Sequence, residues 1–129
     1  PKNNDLSRPE SKRIPLLFYG NVLKEEFRGK HIDITGTQHD IPATILHQLH
    51  KATSLFPGSK NLLNPAAKSF AYYVTDHVMG WITPGQMMLF DLTKREFISL
   101  TDPLVSHIDS LQIDAKAYLQ YHYQEYLEF

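Results

Sequence analysis

Apolar and polar positions in this chain alternate with two different periods, and Pro, Gly, Asp or Asn marks most of the changes between them. Ile14-Pro15-Leu16-Leu17-Phe18-Tyr19 is the first apolar run; Pro15 favours an extended start and Gly20-Asn21 a break after it. Lys30–Thr35 alternates with period two, placing Ile32 and Ile34 on one face and His31, Asp33 and Thr35 on the other, as a half-wet strand requires. After Asp40-Ile41-Pro42 the period changes. Ile45, Leu46, Leu49, Ala52 and Phe56 follow at helical spacing, with Asp40 as cap and Pro42 in the first turn.

The stretch after Asn64-Pro65 has the same grammar. Phe70, Tyr73, Val74, His77, Val78 and Trp81 recur at offsets of 3, 4, 7, 8 and 11, which predicts a helix over 65–81. Aromatic and β-branched residues in Ser69–Thr75 would also suit a strand; Pro65-Ala66-Ala67-Lys68 and the long period favour the helix. Thr83-Pro84-Gly85-Gln86 ends it. Residues 87–92 and 96–100 then read as a hairpin whose Thr93-Lys94-Arg95 connection calls for a loop of three to five residues. Thr101-Asp102-Pro103 opens a short helix ending near Leu111, and Asp114 a last helix over 114–128.

These elements predict an α+β fold: a small, mainly antiparallel sheet from segments near 16–19, 30–35, 87–92 and 96–100, packed against helices near 41–56, 65–81 and 114–128. Pro1–Arg13, polar apart from Leu6, reads as a flexible tail, and 14–129 as a single globular domain.

Composition narrows the chemistry. With no cysteine there is no thiol catalysis, Cys-based zinc site or disulfide, which fits a reducing, cytoplasmic setting. No apolar run is long enough to span a bilayer, and no membrane partner is expected. The net charge of −1 hides an asymmetry: residues 1–65 carry nine Lys/Arg and six Asp/Glu (+3), residues 66–129 four and eight (−4).

Motifs for nucleotide binding and hydrolysis are missing: no P-loop, no Gly-x-Ser-x-Gly, and glycines scattered singly. No cofactor is expected. His47 and His50 would share a helix face and are the candidate metal ligands, but no glutamate follows His47 as a zinc hydrolase motif would require, and surface histidines are the default. His31, Asp33, His39, His77 and His107 are the candidate acid–base groups for a small metal-independent hydrolase or nuclease using His with Asp or Lys. Cations interleaved with Phe18, Tyr19 and Phe27 make the basic N-terminal half a candidate nucleic-acid surface.

The leading reading is a protein-binding module of adaptor, chaperone-like or toxin-neutralising type, with an enzyme disfavoured. Trp81, Met87, Tyr118, Tyr121, Tyr123 and Tyr126 are its candidate contact residues, because aromatics and Met are enriched at interface centres. The four tyrosines spread around the last helix further than one buried face can absorb, and the acidic second half would supply complementary charge.

Overall fold

Three tight turns fold the chain between Ala71 and Leu100 back and forth into one sheet. The computed structural model describes residues 12–101 and 106–128, with Ser99 and Leu100 described by backbone alone. The strands are β1 (Ala71–Val74), β2 (Val78–Thr83), β3 (Gln86–Asp91) and β4 (Glu96–Leu100), and the helices are α1 (Ile41–Gln48) and α2 (Ile108–Glu128). The four strands form an antiparallel sheet in the order β1-β2-β3-β4, so the fold is α+β. The chain divides into two compact units: one runs to Tyr72 and takes in Ile82–Pro84, the other holds Tyr73–Trp81 and the chain from Gly85 onward.

Each turn has a local cause. Between β1 and β2, the Thr75 N–H donates to the Val78 carbonyl (2.9 Å) while the Val78 N–H donates to Thr75 Oγ1 (3.1 Å). Between β2 and β3, Pro84 presets one turn dihedral and Gly85 supplies the other, a φ of 79°. Between β3 and β4, Asp91 Oδ1 accepts the N–H groups of Thr93 and Lys94, both at 2.8 Å, which stands in for the Gly or Asn of tighter hairpins. The register sets Phe90 opposite Phe97 and Leu89 opposite Ser99, leaving Ile98 as a bulge.

In the second unit the core is Met79, Trp81, Met87, Met88, Leu89 and Phe90 with Ala115 of α2. Met87 and Met88 are both buried, so both faces of β3 are covered at its start. The edge of the Trp81 ring meets Tyr118 of α2 at 5.5 Å, and Lys116 of α2 holds its amino group 5.5 and 5.3 Å from the paired Phe90 and Phe97 rings.

In the first unit α1 buries Ala43, Thr44 and Gln48 rather than the apolar stripe expected of it; Ile45 and Leu46 are half-buried and Leu49 is exposed. Its polar face is used for anchoring. Thr44 Oγ1 donates to the Asp40 carbonyl (2.7 Å) and accepts the Leu62 N–H (2.9 Å), and Gln48 Oε1 accepts the Lys24 N–H (3.0 Å).

Several expectations are corrected. The helix over 65–81 does not form: Asn64 Oδ1 accepts the Ala66 N–H (3.0 Å) in a local turn that resembles a helix cap, and the chain then runs into β1 and β2. Aromatic and β-branched residues favour strand there, and Gly80 packs under the Tyr73 ring, where any Cβ would collide with it. The segments near 16–19 and 30–35 are not strands. At 35 the backbone N–H goes to a side chain, Ser69 Oγ at 2.9 Å, instead of a ladder.

The helix expected over 41–56 stops at Gln48. His50 adopts φ 53°, the Lys51 N–H returns to the Leu46 carbonyl (2.9 Å) and the His50 N–H to that of His47 (3.3 Å), closing a Schellman motif. The last helix runs unbroken from Ile108, since Gln112, Ile113 and Asp114 contain no breaker. The Asp102-Pro103 start of the short helix and most of the N-terminal tail lie outside the described residues.

Candidate functional site

A 21-residue helix in a chain of this size should bury a continuous stripe, and α2 does so over only part of its length. Ile108, Leu111, Gln112, Ala115, Tyr118, Leu119 and His122 lie on one side and are buried or half-buried. Tyr126 falls on the same side, 4, 7 and 11 residues beyond His122, Leu119 and Ala115, yet its side chain is 80% exposed. Tyr123, 50% exposed, lies three residues before Tyr126 and four before Leu127, which is 79% exposed, and so bridges the two into one apolar patch.

The turn before this patch is held firmly. Tyr118 and His122 meet edge to face at 4.5 Å, and Tyr121 and His122 at 5.3 Å. One carboxylate holds two of the three rings: Glu125 Oε1 accepts the Tyr121 hydroxyl at 3.1 Å, and Glu125 Oε2 lies 3.2 Å from His122 Nδ1. Local desolvation, reinforced by Glu125, pushes the Tyr121 phenol above its ordinary value, so it stays protonated and remains a donor. Around the helix stand Asp109, Asp114, Glu125 and Glu128 against a single cation, Lys116.

The other contact candidates divide by burial. Tyr118 is half-buried against Trp81, and Tyr121 is exposed on another side of α2, against His122 and Glu125. Trp81 and Met87 are core residues, because strands β2 and β3 turn them inward where a helix end would have left Trp81 outside. Leu127 was missed from sequence; its spacing from Tyr123 was the available signal.

The titratable candidates are spread along the chain. His31 and Asp33 are exposed on a stretch without regular structure, so the two-residue spacing no longer fixes a common face. His39 sits half-buried in the 3-10 turn Gln38–Asp40. In the second unit, His107 opens α2 with its carbonyl accepting from Ser110 Oγ (3.1 Å) and the Leu111 N–H (3.2 Å). His77 is exposed in the β1–β2 turn, where its carbonyl accepts the Leu92 N–H (2.9 Å). That bond joins two hairpin turns and brings His77 near Asp91. The Asp91 carboxyl is held below its ordinary value, chiefly by the Lys94 N–H, with help from the Thr93 N–H and the Lys94 and His77 charges against partial desolvation.

His47 is exposed in the last turn of α1, and His50 lies beyond it in the left-handed conformation, so the helical spacing that would pair them ends before His50. Among the described residues no group of three or more His, Asp or Glu is placed to hold a metal ion, and no helix is long and apolar enough to cross a membrane.

One charged cluster was invisible in the sequence. Asp40 is fully buried; its Oδ2 accepts the Thr37 N–H (2.8 Å), its Oδ1 the Lys60 N–H (3.0 Å), and the Lys60 amino group lies 3.1 Å from Oδ2. That amino group also donates to the Phe70 carbonyl (2.7 Å) and sits 3.7 Å above the Phe70 ring. Burial lowers the Lys60 pKa, and the charge of Asp40 opposes this. With its bonds directed at fixed acceptors, Lys60 acts as a staple joining the loops at 40, 60 and 70.

No family model, no curated protein and no solved structure matches this chain.

Proposed function

We propose that this chain is a small cytoplasmic adaptor that binds another protein through the distal turns of α2. The observation that carries this reading is the overhang: the stripe that docks α2 continues to Tyr126, which is exposed, with Tyr123 at its edge and Leu127 beyond Tyr123. An amphipathic helix offering anchors three and four residues apart suits an apolar groove on a partner. Glu125 and Glu128 in the turns of the patch, with no Lys or Arg in residues 117–129, call for basic residues along the rim of that groove, which would speed encounter more than strengthen the complex.

The Tyr118–His122–Tyr121–Glu125 contacts hold the preceding turn before any partner arrives, which reduces the ordering cost of binding. Three anchors at about 1.5–3 kcal/mol each, less the cost of association, fit a transient complex rather than a permanent one.

Affinity capture with the full chain tests the reading. Wild type is expected to retain a defined partner that the double variant Tyr126→Asp, Leu127→Asp loses, with only a small fall in melting temperature, because both side chains are solvated and negative charge in the last helical turn costs about 1 kcal/mol. A partner retained equally by the double variant would contradict it.

A further inference from the structure

We infer that the segment from Lys12 to Tyr19 is an interfacial anchor for a lipid bilayer bearing anionic headgroups. Residues 13–19 have no regular secondary structure, and Ile14, Leu16, Leu17 and Tyr19 are all exposed within six positions. Leu17 is 86% and Tyr19 95% exposed, so these side chains stand clear of the chain. Isolated exposed apolar residues are ordinary, but four within one short run make a patch that calls for a covering surface.

Charge selects among coverings. Lys12 and Arg13 precede the run, and Lys24, Arg28 and Lys30 follow it with Glu25 and Glu26, so residues 12–30 carry five cations and two anions, a net +3. An apolar run with cations on either side of it in sequence matches an anionic interface: aliphatic side chains enter the acyl boundary, a tyrosine sits at headgroup depth, and Lys and Arg reach the phosphates. A single-stranded nucleic acid would meet the same charge, but Ile14, Leu16 and Leu17 have no π-face on which a base can stack. An acidic protein would need a groove cut to side chains that protrude singly, whereas a fluid interface makes room for them. The run is too short to span a bilayer, so it lies in the interface, a mode of membrane contact to which the lack of a spanning run, the ground for expecting no membrane partner, does not speak. Combined with partner binding through α2, this would place the adaptor at a membrane surface, although neither surface depends on the other.

Sedimentation of the full chain with vesicles tests this directly. Binding to vesicles of phosphatidylcholine mixed with phosphatidylserine is expected at low salt, weakening as salt rises, with at least about tenfold less on phosphatidylcholine alone. Leu17→Asp should lower binding by about tenfold or more, the milder Leu17→Ser should lower it less, and Arg13→Gln should lower it about fivefold, all with unchanged melting temperatures. Failure to bind the mixed vesicles would overturn the inference, as would equal binding to both vesicle types or binding indifferent to Leu17. Retention of a single-stranded RNA with the vesicles left untouched would overturn it in favour of nucleic acid.

Discussion

His50 carries a conformation that its side chain does not favour. A non-glycine residue at φ 53° costs about 1 kcal/mol, tolerated here because the position closes the Schellman motif of α1. His50→Gly is therefore expected to raise stability by roughly 0.5–1 kcal/mol in chemical denaturation. The Asp40–Lys60 staple works in the opposite sense. Lys60→Met would leave a buried carboxylate with backbone N–H donors but no cation, an expected loss of about 3 kcal/mol. Asp91 adds a pH dependence with a defined sign. Its folded pKa lies below the unfolded value, so its contribution is present above the usual carboxylate range and disappears as pH falls through the folded value. Melting curves of Asp91→Asn and wild type should differ near neutral pH and converge in strong acid.

At the scale of elements, the sheet and α2 follow from different devices. The hairpin of β3 and β4 was legible because its signals are local: an apolar run, a turn with Asp at its first position, and a second run opposite. The stretch from Asn64 to Trp81 was misread for an equally local reason. Tyr73 and Trp81, spaced for a helix stripe, sit on two strands instead, and Asn64-Pro65 begins a plain turn with the same first hydrogen bonds a cap would make. Gly80 was the overlooked signal. It is a poor helix-interior residue, and in β2 it is the position the Tyr73 ring covers. Gly80→Ala should cost about 2 kcal/mol through overpacking, and adding Tyr73→Ala should return part of that loss.

For the molecule as a whole, the opposed charges of its two halves coincide with two exposed apolar features of different kind. The acidic half contains the tyrosine-bearing turns of α2, and the basic half contains the run from Ile14 to Tyr19. The exposed tyrosines could be named from the sequence because four within nine residues exceed one buried face. Trp81 and Met87 could not be sorted from them, since their burial depends on which strands form. The pairing of Asp40 with Lys60 was likewise unreadable, because no periodicity links residues twenty apart through an irregular loop.

The claim on which the function rests is that Tyr126 is covered by a partner chain rather than by water. A photo-crosslinking residue placed at position 126 of the full chain tests it most directly. The expected result is one discrete adduct, suppressed by excess wild type but not by the Tyr126→Asp, Leu127→Asp double variant. The absence of any adduct, or an adduct that both competitors suppress equally, would contradict the claim.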